Sequence, residues 1–363
     1  MKLLMSLPFC MLIMVMLVAM SEAFFHHSQY SSSNKMILKA TTNVITDQIS
    51  LKSGISVEMM KCLPTSNLFD ISNPSNKSKT KPPLIFIHGS FHASWCWAEH
   101  YMPYFAELGH PCYALSLRGT GGSFAGDGVK KVPIQSHVED VSCFIDYVME
   151  KESYQAPILI SHSFGGLTVM KYLERNLISE EGYPLDKSEV CIPLSGVVLM
   201  CSVPPSGNKD MTFRFLRRSL VDAWKITLGL AMKKCITDEK LCRDLFFDPY
   251  EKDGNDCISD DDIRRIQGYF KRDTVATIDL MDLAKKLPSK NVDDNGIATF
   301  FETFPPSLVI GASDDFIVDR EGVEETARYF GVKPTIVSSS HDVMLGGRWK
   351  NGAEAIQKWL EGL

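Results

Sequence analysis

The sequence predicts an α/β fold, built on a doubly wound, mostly parallel sheet with an inserted helical cap. Short continuous apolar runs alternate with amphipathic helical patterns along most of the chain after residue 55. Buried parallel strands have such runs because helices cover both faces of their sheet. The alternation stops between 204 and 303, where helical patterns replace the strands, and we therefore predict a cap there.

Each predicted strand is a short apolar run, and in chain order the runs are 55–60, 84–87, 112–117, 158–160, 196–201, 308–310 and 335–337. The helical patterns between and after them are 97–108, 137–149, 165–177, 321–330 and 349–363. Crossovers between parallel strands are right-handed, and ligands gather at the carboxyl ends of those strands. We therefore expect functional residues directly after the strands.

The N-terminal segment has the features of a targeting signal. Residues 1–23 combine Lys2, an apolar run and a small-residue cleavage pattern at Ala23, as a secretory signal peptide does. Residues 24–54 are rich in Ser and Thr and basic, so we predict a presequence or disordered tether. This order resembles the two-part presequences of algal plastids that are reached through the secretory route. We expect delivery to the plastid, with secretion or membrane anchoring as the alternatives.

The remaining chain divides into a core of 55–203 and 304–363 and the helical cap of 204–303. Composition is that of a soluble globular protein, with 45% hydrophobic and 23% charged residues. The formal net charge of −6 gives no electrostatic reason to expect a nucleic acid partner. No zinc-binding motif is present, and we expect neither a metal nor an organic cofactor. The residues give no prediction of oligomeric state.

The segment 158–166, ILISHSFGG, predicts a nucleophile elbow at Ser163. A strand runs into a tight turn and then an amphipathic helix, which is the context that this motif requires. The residues two before and two after the nucleophile must be small because they approach neighbouring backbone. Gly165 meets this requirement, whereas Ser161 departs from glycine but keeps a small side chain.

The partners of such a serine follow in chain order, first the acid and then the histidine. His341 is the only histidine after Ser163, and it follows the strand-like run 335–337. Asp314 and Asp315 both follow the run 308–310, and we choose Asp315 because of its distance to the apolar pair Ile317-Val318. Asp314 is interpreted as a loop-shaping side chain. The predicted triad has Ser163 as nucleophile, His341 as base and Asp315 as the acid that orients the imidazole.

The run 84–87 leads into His88-Gly89-Ser90-Phe91, which predicts an oxyanion-binding loop. Gly89 lets the chain turn and directs backbone N–H groups towards the site. We expect the N–H groups of Ser90 and Phe164 to be the donors, the second because it follows the nucleophile at a helix start. His88 is interpreted as a residue that braces the loop rather than as a base.

Five segments together resemble the lysophospholipase-like and monoacylglycerol-lipase-like members of the α/β-hydrolase superfamily, from about Pro83 to the C-terminus. They are HGSFHASWCW (88–97), LRGTGGS (117–123), SHSFGG (161–166), GASDDFIV (311–318) and HDVML (341–345). The resemblance implies an α/β-hydrolase fold and a serine hydrolase that uses no cofactor. Thr120 stands where this family often has histidine.

From the residues and the resemblance we expect hydrolysis of a carboxylic ester of a lipid or other small acyl substrate. The alternatives are an amidase, peptidase or lyase that uses the same triad, and a non-catalytic member of the fold that binds a ligand. The apolar and basic pattern of 213–232 predicts a cap helix packed over the site, and such a helix also suits transient contact with a membrane surface.

Overall fold

The computed structural model describes residues 43–64, 81–153, 155–179, 185, 193–247 and 258–363. Its strands are β1 Val44–Ser50, β2 Ser56–Cys62, β3 Leu84–Ile87, β4 Cys112–Leu115, β5 Lys131–Val132, β6 Ile158–His162, β7 Gly196–Met200, β8 Thr277–Ile278, β9 Ser307–Ala312 and β10 Thr335–Val337. The α-helices are α1 Trp95–Ala98, α2 Tyr101–Glu107, α3 Ile134–Tyr147, α4 Phe164–Leu177, α5 Asn208–Arg218, α6 Leu220–Ile226, α7 Glu239–Phe246, α8 Asp260–Arg272, α9 Leu280–Lys285, α10 Arg320–Tyr329 and α11 Trp349–Leu360.

Eight strands form the central sheet in the order β1-β2-β4-β3-β6-β7-β9-β10. The pairs β1·β2 and β2·β4 are antiparallel, and every other pair in this sheet is parallel. The expected doubly wound, mostly parallel sheet is therefore confirmed. Its parallel strands end at one edge, and this edge receives the loops after β3, β6, β9 and β10.

Helices cover both faces of the sheet, so the strand interiors are apolar on both sides. In β3, Leu84 and Phe86 belong to one buried cluster, whereas Ile85 and Ile87 belong to the other. Successive strand side chains point to opposite faces, which explains why the run contains no polar residue. Truncation of the fully buried Phe86 to alanine is expected to cost about 3–5 kcal/mol of stability.

The folded sheet begins earlier than the sequence analysis expects. β1 spans Val44–Ser50 and lies at the sheet edge, inside the stretch 24–54 that we interpreted as presequence or tether. Ile45, Thr46 and Gln48 are exposed, so the strand lacks the apolar signal of the inner strands. The tether therefore cannot extend to residue 54. The leader 1–23 and residues 24–42 lie outside the described residues.

The prediction of a single helix over 97–108 is wrong, because two short helices, α1 and α2, occupy this region. Pro103 lies in the first turn of α2, where its missing N–H needs no partner. A helix continuous through this position would place the proline ring against the carbonyl of Glu99. The backbone accordingly leaves the helical region at His100, with φ −135° and ψ −53°.

Helices α5–α9 lie between β7 and β9, where the sequence analysis places the cap. The pattern of 213–232 is not one helix: Ser219 separates α5 from α6 with an extended backbone, and its hydroxyl accepts the N–H of Asp222 at 3.1 Å. Phe213, Leu220, Val221 and Trp224 are exposed rather than packed over the site. Within the described ranges, no helix has the length and apolar character needed to cross a bilayer.

Candidate active site

Ser163 occupies the sharp turn between β6 and α4. Its backbone has φ 53° and ψ −123°, an unfavourable conformation for a residue with a side chain. The turn is compact because a Cβ on Gly165 would lie 2.6 Å from the carbonyl oxygen of His88. Ser161 is tolerated in place of glycine because its hydroxyl donates to the carbonyl of Val198 on β7 at 3.1 Å. The strand and helix thus present Ser163 at the carboxyl edge of the sheet.

The structure brings Ser163, His341 and Asp315 together from three distant segments. Nε2 of His341 lies 3.2 Å from Oγ of Ser163, and Nδ1 lies 2.9 Å from each carboxylate oxygen of Asp315. The side chains of His341 and Asp315 are only 2% and 1% exposed. The three groups form a continuous hydrogen-bonded chain shielded from water.

The backbone holds Asp315 in place. Its Oδ1 accepts the N–H groups of Ile317 and Val318, each at 2.8 Å, which explains why the acid precedes this apolar pair by two residues. Asp314 points elsewhere, and its Oδ2 accepts a hydrogen bond from Arg348 at 2.9 Å. The neighbouring carboxylates therefore have separate environments, and only Asp315 contacts His341.

The pKa of His341 is set by two opposing effects. Burial favours the neutral ring and lowers the pKa, whereas the charge of Asp315 and its hydrogen bond favour the imidazolium. The interaction with Asp315 prevails, so the pKa of His341 is raised from its ordinary value. A histidine with this balance accepts a proton from Ser163 Oγ and keeps the resulting charge paired.

The loop after β3 passes directly against Ser163. A Cβ on Gly89 would lie 2.8 Å from Cβ of Ser163, so only glycine permits this approach. Gly89, Ser90 and Phe164 line a cavity of about 40 Å³ beside the elbow. Phe164 is the first residue of α4, where backbone N–H groups have no partner within the helix. The structure thus places the two predicted oxyanion donors at one small cavity.

His88 braces this loop. Its Nδ1 donates to the carbonyl of Gly89 at 2.7 Å, and its Nε2 accepts the N–H of Leu117 at 3.0 Å. Complete burial lowers the pKa of His88 to about 4, so the ring is neutral at physiological pH. The neutral form with a proton on Nδ1 satisfies both contacts.

An aromatic wall closes the site from the cap side. The ring of Phe91 lies edge-on to Phe246 at 5.9 Å and to Phe270 at 5.7 Å between ring centroids. Phe246 ends α7, and its carbonyl accepts the N–H of Asp342, the residue after His341. Ser163 is 6% exposed. Phe91 also lines the cavity beside the elbow, whereas Phe246 and Phe270 are buried behind it.

Three buried polar residues at the site escaped the sequence analysis. They are Asp342, which follows His341; His162, which precedes Ser163; and His92, which follows the loop His88-Gly89-Ser90-Phe91. Their sequence signal is weak because each lies beside a residue with an assigned role.

A larger cavity of about 560 Å³ is lined by Pro82, Ile158, Ser195 and Pro306 at the opposite ends of the strands, and it contains none of the predicted site residues.

Partial sequence matches connect the chain with two esterases. It is 24% identical over 133 residues to a carbendazim hydrolyzing esterase of Nocardioides sp. (strain SG-4G), covering 37% of this chain and 52% of that protein. It is 25% identical over 100 residues to Methylesterase 1 of Arabidopsis thaliana, covering 28% and 36% respectively. The chain thus spans about half and about a third of the lengths of these relatives.

Solved structures share the fold at low identity. A membrane phospholipase A described as a bacterial virulence factor aligns with a TM-score of 0.57 and 14% identity, covering 98% of this chain and 92% of that one. A bromoperoxidase from Bacillus anthracis aligns with a TM-score of 0.56 and 16% identity, covering 87% and 100%. The family model described as the alpha/beta hydrolase family matches residues 84–349. With this match over most of its length, and with a mostly parallel sheet that those structures share, the chain belongs to the alpha/beta hydrolase family.

Proposed function

We propose that the protein is a serine hydrolase that cleaves a carboxylic ester through an acyl-enzyme on Ser163. The observation that carries this proposal is the hydrogen-bonded chain from Ser163 through His341 to Asp315. A serine hydroxyl is a weak nucleophile at neutral pH, and an adjacent imidazole held by a carboxylate supplies the base that it needs.

In the first half of the reaction, Ser163 Oγ attacks the ester carbonyl while His341 Nε2 takes the hydroxyl proton. The carbonyl electron pair becomes an oxyanion, which the N–H groups of Ser90 and Phe164 stabilise by hydrogen bonds. Asp315 keeps the proton of His341 on Nδ1 and stabilises the imidazolium. The intermediate then releases the alcohol, which receives the proton from His341, and leaves the acyl group on Ser163.

In the second half, water attacks the acyl carbonyl and His341 takes a proton from that water. The same two N–H groups stabilise the second oxyanion. Its collapse releases the carboxylic acid, and the proton returns from His341 to Ser163 Oγ. Every proton transfer is thus assigned to His341, whose two ring nitrogens already contact Ser163 and Asp315.

The substrate class rests on Phe91, which lines the cavity beside the elbow and packs against Phe246 and Phe270, and this apolar surface favours an apolar acyl or aromatic group. The names of the two partially matching relatives support an ester as the bond that is cleaved. We propose a lipid or other small acyl ester. The likeness to lysophospholipases and monoacylglycerol lipases supports a lipid but remains a prediction.

The test combines labelling with turnover. Purified protein and its Ser163→Ala variant are treated with a fluorophosphonate probe and assayed on p-nitrophenyl esters and monoacylglycerols. We expect labelling and ester turnover in the wild type alone. If the protein is labelled but cleaves amide substrates and no ester, the proposed substrate is an amide rather than an ester. If the protein is not labelled, a ligand-binding role is favoured.

We further propose transient contact with a membrane surface through the cap patch, defined as the exposed side chains Phe213, Leu220, Val221 and Trp224. Amphipathic surfaces with apolar and basic residues bind lipid headgroup regions. Lys225, in the same helix as Trp224, lies over the ring of Phe316 at 5.7 Å, and Phe316 follows Asp315. Helix α6, which carries three of the patch residues, thus contacts the residue that follows Asp315.

For location, we propose entry into the secretory route and delivery to a plastid. The proposal rests on the composition of residues 1–42. The test is expression of this segment fused to a fluorescent protein in an alga whose plastid is reached through the secretory route. We expect plastid fluorescence, whereas fluorescence outside the cell would favour secretion.

A further inference from the structure

A second histidine–carboxylate pair lies behind the candidate triad. Nε2 of His92 is 2.9 Å from Oδ2 of Asp342, and the two side chains are 1% and 0% exposed. His92 Nδ1 is 2.8 Å from the carbonyl oxygen of Ser90. The pair therefore joins the oxyanion loop after β3 to the loop that carries His341.

These contacts determine where the protons of His92 lie. A carbonyl oxygen only accepts hydrogen bonds, so Nδ1 of His92 must carry a proton directed at Ser90. Nε2 faces a carboxylate oxygen and shares a second proton with it. The pair is thus neutral as a unit, which suits its burial beside the rings of Phe246 and Phe270.

Two imidazoles hold the two peptide groups that flank Ser90. His88 donates to the carbonyl of Gly89, in the peptide group that contains the Ser90 N–H. His92 donates to the carbonyl of Ser90 itself, in the next peptide group. Because each peptide group is planar, the two bonds together fix the rotation about the Cα atom of Ser90 and hence the direction of its N–H.

This loop needs support because Phe91 has a φ of 70°, in the left-handed region that side chains disfavour. Without the bond from His92, the peptide group between Ser90 and Phe91 is free to rotate towards a more favourable conformation. The peptide group that carries the Ser90 N–H is then held by His88 alone, and the N–H is less well directed towards the oxyanion.

The base is held by the same group of residues. His162 Nε2 donates to the carbonyl of His341 at 2.9 Å, and Asp342 is covalently next to His341. A cluster of two histidines and an aspartate also has the composition of a metal site. However, His92 Nε2 is already hydrogen-bonded to Asp342 Oδ2 and His162 Nε2 to the carbonyl of His341, so hydrogen bonds within the protein account for these ring nitrogens.

We propose that His92 and Asp342 are positioning residues that fix the Ser90 oxyanion donor relative to His341. The proposal rests on the serine hydrolase function proposed above. In this proposal neither residue contacts the substrate. His92 acts through the peptide group of Ser90, and Asp342 acts through His92 and through the backbone of His341.

The test measures kcat and KM on a p-nitrophenyl ester for His92→Gln, Asp342→Leu and the double variant. Gln places its amide near the position of Nε2, so it keeps a contact with Asp342 and loses the donor to Ser90. Complete loss of an oxyanion donor lowers turnover about 100- to 1,000-fold. A misdirected donor retains part of its effect, so we expect kcat to fall about 10- to 100-fold with KM changed less than about twofold.

The double variant should lose no more than about threefold beyond the worse single variant, because loss of Asp342 already removes the contact that holds His92. Inhibition by a trifluoromethyl ketone tests the oxyanion site directly. Ser163 Oγ adds to the ketone carbon, and the former carbonyl oxygen then lies in the oxyanion site as an alkoxide. This inhibition should weaken by the same factor as kcat, as expected for a transition-state interaction. The concentration of active sites is titrated with the fluorophosphonate probe, so unfolded protein does not lower the measured kcat.

His110→Gln is the matched control. His110 is also buried, and its Nδ1 also contacts a carbonyl, that of Pro82 at 2.9 Å, but it lies at the opposite end of the strands. We expect it to leave kcat and trifluoromethyl ketone inhibition unchanged. Single variants of His92 and Asp342 that keep kcat within threefold per active site would overturn the proposal.

A measurement on the wild type covers the case in which the variants do not fold. Selective ¹⁵N labelling of histidine should give a His92 signal in which Nδ1 carries a proton. A spectrum in which Nδ1 carries no proton excludes the bond to Ser90 and overturns the proposal. Failure of the serine mechanism has a separate signature, namely ester turnover that survives Ser163→Ala, and it overturns both proposals.

Discussion

His88 donates a hydrogen bond from Nδ1 to the carbonyl oxygen of Gly89 at 2.7 Å, on the side of the peptide group opposite to the Ser90 N–H. His88→Phe removes this donor and the acceptor for Leu117, so we expect kcat to fall about 10- to 100-fold through a misdirected oxyanion donor. His88→Asn places a donor near the position of Nδ1 and should recover part of the loss. Steady-state kinetics on one ester compares the variants, and equal activity of His88→Phe and the wild type would contradict a bracing role.

The pH dependence of kcat/KM should report His341. The imidazole must be neutral to accept the Ser163 proton, so activity is lost as pH falls through its pKa. Because Asp315 raises that pKa, we expect the midpoint of the acidic limb above 6.5, the ordinary value for histidine. Asp315→Asn removes the opposing charge and leaves burial as the main effect, so the midpoint of its residual activity should move to lower pH. An unchanged midpoint would show that another group limits the reaction.

Neighbouring carboxylates should differ sharply in their effect on turnover. Asp315→Asn is expected to lower kcat about 10,000-fold, because the amide no longer holds the imidazole in the required tautomer. Asp314→Asn should change kcat less than about threefold, because Asp314 contacts Arg348 and not His341. The two variants are matched controls for one another in the same assay. A larger loss in Asp314→Asn than in Asp315→Asn would reverse the assignment of the acid.

Much of this fold was predictable because inner strands bury both faces and leave an uninterrupted apolar signal. β3 coincides with the predicted run 84–87, and β10 with 335–337. β1 gives no such signal, because as an edge strand it buries little of its surface. The break between α1 and α2 follows from Pro103, whose consequence depends on the local backbone rather than on hydrophobic periodicity.

The candidate site shows a similar division. Ser163, Asp315 and His341 each follow a strand in a motif with fixed spacing, so the sequence alone suggests their proximity. His92 and Asp342 are separated by 250 positions and carry no motif of their own. Their relationship depends on how two loops and the cap meet, which local sequence patterns do not encode.

Gly165 should be far less tolerant of substitution than Ser161. In Gly165→Ala the new Cβ would lie 2.6 Å from the carbonyl oxygen of His88 and 2.7 Å from that of Ile87, so backbone must move. We expect a loss of stability of about 1–3 kcal/mol, as for overpacking, and little residual activity. Ser161→Gly loses only the hydroxyl bond to Val198 and should keep activity within about threefold. Thermal unfolding and ester turnover are measured on both, and a stable, active Gly165→Ala would show that the elbow has more space than the structure indicates.

Membrane contact through the cap patch can be tested by weakening that patch alone. Leu220 and Val221 are 64% and 67% exposed, so Leu220→Ser with Val221→Ser should leave folding and turnover of a soluble ester unchanged. Burial of a Leu or Val side chain contributes about 1.5–3 kcal/mol, so we expect vesicle affinity to fall at least about tenfold. Co-sedimentation with phosphatidylcholine vesicles, with and without phosphatidylglycerol, gives the affinity.

Ile45→Ser is the control for this experiment, because Ile45 is 52% exposed on the edge strand β1 and does not belong to the cap patch. It removes a similar apolar surface and should leave vesicle binding unchanged. The emission of Trp224 gives an independent reading, since contact with lipid moves an exposed indole from water into an apolar environment and shifts its emission to shorter wavelength. If the double variant and Ile45→Ser lose the same affinity, binding arises from general surface hydrophobicity, and the patch has no specific part in it.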